Sequence, residues 1–520
     1  MRKELIDLKD SKYFSSLFLD YLSQDNKVRE LYRLFPSREN FEKQIANKSF
    51  SMKKRETLKN ALIRQHEGFH LSPITEENIL ALAEENTFTV TTGHQLNIFT
   101  GPLYFIFKII TIINLAKELR EKYPQYNFVP VYWMHTEDHD FAEISFFNLF
   151  SKKYQWETDQ KGAAGRFRTE GMEKVLQQVA DLPAFFEEAY MGQRTLGAAH
   201  RYLVNEIFGK DGLVILDGDD AELKSEFSDV IKDDILKHTA SGIVVKTNNK
   251  IEELGYKVQV NPREINFFYL DGDIRERIVE EAEGYKVLNT SLFFSKEQLF
   301  QLIDLNPEKF SANVVTRPLY QEYILPNLAY IGGPGELSYW LQYKELFSHY
   351  NIPFPILMPR NFAMVINKNL DKKIQKLGLS CKDLFEGENE LKKKFIAEQE
   401  DAVFDFAEEQ RMFDELFDKL KEKLSAADKT LEGFVLAEKQ KALKIIEGIE
   451  KRAKRSSEDK LKVEIDQLLN IKSRLFPNGS LQEREDNFLN FYINDPAFID
   501  KLKACLDPFD FRFHILREDE

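Results

Sequence analysis

Residues 87–140 read TFTVTTGHQLNIFTGPLYFIFKIITIINLAKELREKYPQYNFVPVYWMHTEDHD. Thr87 to Thr92 is a run of β-branched and aromatic residues, as a buried strand requires. Gly93 and Gly101 bracket a polar turn that holds His94, Gln95, Asn97 and Thr100. Pro102 suits the first turn of a helix, where a missing N–H removes nothing. From Leu103 to Leu119 apolar residues fall on almost every face, so this helix packs on more than one side. Phe128 to Met134 is the next apolar strand, and a helical crossover between two such strands implies parallel pairing. Glu137, Asp138, His139 and Asp140 follow it at once. Both polar clusters therefore sit at the C-terminal ends of strands, where open α/β sheets bind ligands.

Residues 313–366 repeat the pattern. TRPLYQEYILP gives a short helix between Pro318 and Pro326, then LAYIGGPGELSYWLQYKELFSHY gives strand, glycine turn and helix. Gly332, Gly333 and Gly335 are expected to let the backbone turn tightly and to point N–H groups at an anion in the helix mouth. The GGPGE spacing is neither GxGxxG nor a P-loop. FPILMP (354–359) completes a second βαβ unit and Arg360 stands at its end.

The EDHD cluster admits three readings: metal ligands, a helix-capping acidic turn, or acid/base and ammonium-binding groups. Adjacent residues do not match the i, i+3 or i, i+4 spacing of helical metal sites, so no resident metal is assigned. His94 is either a satisfied turn histidine or a group facing phosphate. Arg317 is an ion-pair anchor or a ligand clamp, and the chemistry is the same for both. Tyr339 and Trp340 read as packing on the sheet. The acidic turn GDD (218–220) reads as a helix N-cap.

At 520 residues the chain exceeds one compact core. A net charge of −14 argues against nucleic-acid partners, which need clustered cations. Two cysteines, Cys381 and Cys505, make no disulfide framework. MRKELIDLKD lacks the apolar core of a signal peptide, and Lys108, Thr111 and Asn114 interrupt the most apolar stretch, so the expectation is a cytoplasmic protein without a membrane span.

Residues 1–80 read as helices and loops that pack and carry no chemistry. YKVQVN (256–261) and INFFYL (265–270) alternate like an antiparallel pair, and Arg275 and Arg277 then fall on an exposed insertion edge. After Pro359 no proline occurs until Pro477, and charge dominates. Apolar stripes at Leu391, Phe395, Val403, Phe406, Phe413, Leu416, Leu420 and Leu424, and at Leu436, Leu443, Ile446, Ile449, Ala453, Leu461, Ile465 and Leu468, predict a long antiparallel helical hairpin, coiled-coil-like in part. Ser425 or Asp428 would cap its second helix and Ser456 a third. The tail DPFDFRFHIL reads as one more strand. The organisation expected is a core over 1–384 with an inserted region at about 155–310, a helical arm over 385–475, and a return segment over 476–520.

Four separated segments, TTGHQLNIFTGPLY, PVYWMHTEDHDFAEI, RPLYQEYILPNLAYIGGPGELSYW and LFPNGSLQER, resemble those of the BshC family, to which the cysteine-adding step of bacillithiol biosynthesis is ascribed. The resemblance runs from about Glu67 to the C-terminus in the family's order. The family usually carries Gln where this chain has His94. The resemblance implies a Rossmann-like core related to class I synthetase catalytic domains, with a coiled-coil domain, although no HIGH or KMSKS signature stands in the chain. It implies a ligase that joins cysteine to glucosaminyl malate, with ATP as the activating nucleotide and Mg2+ accompanying it. On that reading Glu137, Asp138, His139 and Asp140 are the catalytic candidates. Thr92, Gly93, His94, Gln95, Asn97, Thr100, Gly101, Arg317, Gln321, Gly332, Gly333, Gly335, Glu336 and Tyr339 are the candidates for binding substrate and nucleotide. The competing class is a nucleotide-binding dimeric scaffold without ligase activity. In either case apolar residues in excess of one seam predict that the arm joins two copies of the chain.

Overall fold

The computed structural model describes residues 1–399 and 406–519, and the chain divides into two compact units. The first comprises Met1–Val365 with Ser480–Leu516, and the second Ile366–Gly479 with Arg517–Glu520.

Five parallel strands form the centre of the first unit. In spatial order they are Ile356–Pro359, Asn327–Gly332, Thr87–His94, Asn127–Met134 and Val214–Asp217. Taken in chain order this is the doubly wound 3-2-1-4-5 arrangement, whose direction reverses between Thr87–His94 and Asn327–Gly332. The 87–94 strand is buried at every residue, as a central parallel strand covered on both faces must be. The helix Tyr104–Lys122 crosses from it to Asn127–Met134 and buries Phe105, Ile106, Phe107, Lys108 and Ile109 in succession.

The insertion differs from its sequence pattern. Residues 256–261 form no strand. Phe267–Asp271 pairs instead with Ile274–Glu281 and with Phe310–Ala312, and Gly284–Val287 and Phe293–Phe294 extend the same antiparallel sheet. Gly272, at φ +52°, turns the hairpin between the first two strands, which the alternation of 256–270 did not reveal.

Residues 1–80 also do more than pack. Arg55, almost wholly buried, donates to the carbonyls of Leu82, Glu85 and Thr87 and so holds the entry to the central strand. The return segment is equally specific. Gln482 bonds both backbone groups of Val365, Glu483 accepts from the Ala363 amide, and Asn487 donates to the carbonyls of Phe99 and Gly101. Those last bonds fix a turn in which Phe99, Thr100 and Gly101 all have positive φ.

In the second unit the helices are Glu388–Gln399, Ala407–Ala427, Glu432–Lys460 and Lys462–Leu475. Helices 407–427 and 432–460 lie side by side, linked by Lys439 to Asp414 and Asp418 and by Lys421 to Glu432. Ser456 lies inside a helix rather than at a cap, Leu461 marks the break, and Asp428 caps a single 3-10 turn. Val403 lies outside the described residues.

Candidate active site

The strand order places the site. Where the order reverses, the two strand ends diverge and leave a crevice outside their carboxyl ends. There the first unit has a cleft of about 650 Å3, lined from the first turn by Gly93, His94 and Gln95, from the EDHD strand end by Glu137 and Asp138, and from the third segment by Arg317, Glu336 and Tyr339. The insertion sheet supplies the opposite wall through Phe268, Arg275 and Asn313.

Lys108 joins the two turns. It projects from the crossover helix with its side chain 2% exposed, pairs with Glu336 at 2.6 Å and donates to the Gly93 carbonyl at 2.8 Å. Burial outweighs Glu336 at the ammonium and lowers its pKa. At the carboxylate, Lys108, the Tyr330 hydroxyl and the Gly333 amide outweigh burial and hold the pKa down. Sequence reading took Lys108 for a mere interruption of an apolar helix.

The glycine turn at 332–336 is a correction. Gly332, Gly333 and Gly335 are absent from the positive-φ residues, and none lines the cleft. The mouth of the following helix, Pro334–Trp340, is filled by the chain's own Glu336, whose Oε1 accepts from the Gly333 amide at 3.1 Å. A carboxylate three residues into a helix satisfies the orphan N–H groups there, so this mouth is closed to an external anion.

The first turn divides likewise. Thr92 is wholly buried and donates to the Ile331 carbonyl, Asn97 donates to the Glu143 carbonyl, and Thr100 and Gly101 lie in the strained turn away from the cleft. Gly93 is required for space: a Cβ there would stand 2.7 Å from His135 Nε2. His94 stacks on Phe105, with centroids 5.1 Å apart, and burial first, then Lys108, drives its pKa well below the usual range. It is a neutral packed imidazole on the cleft floor.

The EDHD residues separate into different roles. Asp138 Oδ1 accepts from the backbone amides of His139 and Asp140, and Oδ2 accepts from Gln95 at 2.8 Å. Burial raises its pKa, but the bonds from His139 and Gln95, with the charge of Arg275, outweigh burial and leave it well below the carboxylate range. An acid held so firmly ionised is a weak base and a strong partner for a cation. Gln95 also donates to Glu143 at 2.9 Å, which brings a second carboxylate to the same side of the cleft. Glu137 is paired to Lys224 at 2.7 Å. Asp140 is exposed and does not line the cleft. His139 is exposed and does not line the cleft, and its Nδ1 accepts from Arg275 Nη1 at 2.6 Å, which commits that lone pair.

Arg275 is therefore no exposed edge. It stacks over Phe268 at 4.2 Å, bonds Ser311, and presents a guanidinium beside His139 and Asp138. Only strand pairing across the insertion carries it there, so no local signal could have found it. Arg317 donates to Gln321 Oε1 at 3.0 Å and leaves Nη2 without a hydrogen-bond partner. Gln321 itself is fully buried and does not reach the cleft. Tyr339 does reach it, whereas Trp340 stacks on Tyr330 at 4.2 Å beneath. Arg360 is buried against Glu483 at 2.6 Å. In the GDD turn, Asp220 caps the next helix, while Asp219 pairs with Arg166 and Lys224.

The cleft carries both signs of charge. Asp138 and Glu143 are bridged by Gln95, Arg275 stands beside Asp138, and Arg263 and Arg317 line the same cleft. Such a cleft can hold a small molecule that carries both an ammonium and carboxylates.

Comparison with known proteins places these elements. Residues 1–361 match the model described as "Bacillithiol biosynthesis BshC, N-terminal Rossmann-like domain", and residues 363–518 match "Bacillithiol biosynthesis BshC, C-terminal coiled-coil domain". The first match begins at residue 1, so the N-terminal helices belong to the family's domain. Proteins named "Putative cysteine ligase BshC" are 43% identical in Flavobacterium psychrophilum, over 99% of this chain and 100% of that protein. The corresponding protein of Flavobacterium johnsoniae is likewise 43% identical over 99% of this chain and 100% of its own length. That of Salinibacter ruber is 31% identical over 95% of this chain and 94% of its own.

Proposed function

The chain belongs to the BshC family, and from that premise we propose that it is the ligase that joins the carboxyl of cysteine to the amine of glucosaminyl malate, with ATP as co-substrate. The observation that carries the reading is the cleft at the strand-order reversal, lined by both carboxylates and guanidiniums.

Each kind of charge in the cleft has a task in amide formation. Asp138 and Glu143 hold an ammonium group, and Gln95 fixes their separation by spending both of its N–H bonds on them. Arg317 and Arg275 take carboxylates, as planar guanidiniums do well. The Nη2 of Arg317, which has the Tyr339 side chain beside it but no acceptor in hydrogen-bond geometry, fits an anionic ligand, because a buried donor without an acceptor is penalised until one arrives. The same chemistry suits a phosphate, so the arginines would also hold the nucleotide, with Mg2+ accompanying it. ATP would supply the group that turns the carboxyl oxygen into a good leaving group. The chain's own contribution is orientation and charge: the reactants are held in one crevice that carries both signs of charge.

The second unit serves assembly in this reading. Helix 407–427 buries no residue at all, and Phe413, Leu416, Leu420 and Leu424 lie exposed along it. Such a stripe on a helix of 21 residues calls for a cover, and a second copy of the chain across a two-fold axis supplies a matching one.

The test is incubation with cysteine, glucosaminyl malate and ATP, following the amide-linked thiol by mass and the nucleotide as AMP or ADP. Formation of that thiol only when all three are present is the expected result. Nucleotide binding without product at any enzyme concentration would favour the scaffold reading.

A further inference from the structure

Beneath the cleft, Arg317 leads into four buried side chains that no catalytic role accounts for. Arg317 Nη1 donates to Gln321 Oε1 at 3.0 Å, and Gln321 Nε2 donates to Glu322 Oε1 at 3.0 Å. Asn327 Nδ2 donates to the same oxygen at 2.6 Å. Lys48, 1% exposed at its side chain, stands 3.8 Å from the other carboxylate oxygen, Oε2. Gln321 and Asn327 are wholly buried and Glu322 is 2% exposed. Buried ionised groups of this kind are expensive, and here the pair lies too far apart for a close contact, so stability alone is a poor reason for it.

The polarity of the chain supplies a better reason. An ionised carboxylate only accepts hydrogen bonds, whereas a glutamine amide can face either way. Because Glu322 accepts, Gln321 must present its NH2 to Glu322 and its carbonyl to Arg317. Asn327 donates to the same Glu322 oxygen, so residue 322 has to offer an acceptor on this side. We propose that Glu322 is a positioning residue that fixes the amide of Gln321 and thereby aims Arg317 at an anionic group of the substrate, a carboxylate on the ligase reading given above.

The inference rests on that reading for the ligand and on the hydrogen-bond directions for the relay. It makes a specific forecast for the acceptor at residue 322. In Glu322→Gln the new amide keeps its oxygen toward the two donors, Gln321 and Asn327, so the Gln321 amide and Arg317 hold their places. In Glu322→Leu that acceptor is lost, and the Gln321 amide is no longer held with its oxygen on Arg317.

The experiment is calorimetric titration of each full-length variant with glucosaminyl malate, with thermal unfolding recorded alongside. Glu322→Leu and Gln321→Leu are expected to weaken binding about 10-fold or more, the size of one charged hydrogen bond. Glu322→Gln, which keeps the acceptor, is expected to stay within about 3-fold of the starting protein, on the same scale. Arg317→Gln separates the two layers. If it leaves binding unchanged, the assignment of Arg317 as an anion clamp fails. If it weakens binding while folded Glu322→Leu and Gln321→Leu do not, the clamp stands and the relay is refuted. A folded Glu322→Gln that binds as weakly as Glu322→Leu also refutes the relay, and Gln321→Leu decides the matter should Glu322→Leu not fold.

Discussion

Lys108→Met should unfasten the two turns of the cleft, and the structure sets the size of the effect. Removing Lys108 takes one donor from Glu336 and one from the Gly93 carbonyl. Breaking a buried pair by deleting one partner typically costs 3–5 kcal/mol. Glu336 is 23% exposed and keeps its bonds from Tyr330 and Gly333, which points to the lower end of that range. The lost bond at Gly93 adds about 1 kcal/mol, and the buried Met thioether returns a similar amount by leaving no charge to desolvate. The expected loss is about 3 kcal/mol. Glu336→Gln should cost less, about 2 kcal/mol, because the amide keeps an acceptor for Gly333 and the lysine can shed its proton. The double variant should cost far less than the sum, with a coupling of about 2 kcal/mol or more. Urea unfolding read by tryptophan fluorescence is the assay. Trp133, Trp156 and Trp340 are the chain's three tryptophans, and all are buried in the first unit, so the signal reports that unit. Additive single and double variants, or a Lys108→Met loss below about 1 kcal/mol, would refute the argument that this pair clamps the site.

Three further outcomes follow from the same geometry. Asp138→Asn should raise KM for the amine substrate roughly 10- to 100-fold while kcat changes little, the signature of a lost ammonium partner, and a fall in kcat alone would make Asp138 a proton acceptor instead. The depressed pKa of Asp138 means its carboxylate stabilises the fold above the unfolded value near pH 4 and loses that effect as pH falls, so the stability gap between wild type and Asp138→Asn should shrink on acidification. Burial, with Asp219 beside it, pushes Asp217 up to about 6, so its ionisation cost builds up from the unfolded pKa near 4 to that value and persists above it; Asp217→Asn should match wild type near pH 4 and exceed its stability by about 3 kcal/mol at pH 8, and equal curves throughout would contradict the assignment. Replacing residues 388–472 with a short linker should give a monomer by light scattering, and a folded deletion that remains dimeric would exclude the arm as the contact.

The sequence by itself determined the sheet and the place of its mouth. Local composition sufficed for that, because a strand buried on both faces must be apolar or β-branched throughout, and a crossover helix forces parallel pairing. The TTGHQ, EDHD and RPLYQEYILP segments were legible for the same reason: polar groups concentrated after apolar strands have few structural explanations. The roles of single residues were not legible. Gly333 reads as an anion-binding turn until Glu336, three residues on, is seen to fill it. Lys108 reads as a blemish in an apolar helix until it meets a carboxylate more than two hundred positions away. Arg275 carries no motif, and it matters only because an insertion hairpin brings it to the crevice. The tertiary structure alone decided which charges are paired and which remain free for a ligand, since pairing depends on distances across the fold, while composition records only that the charges exist.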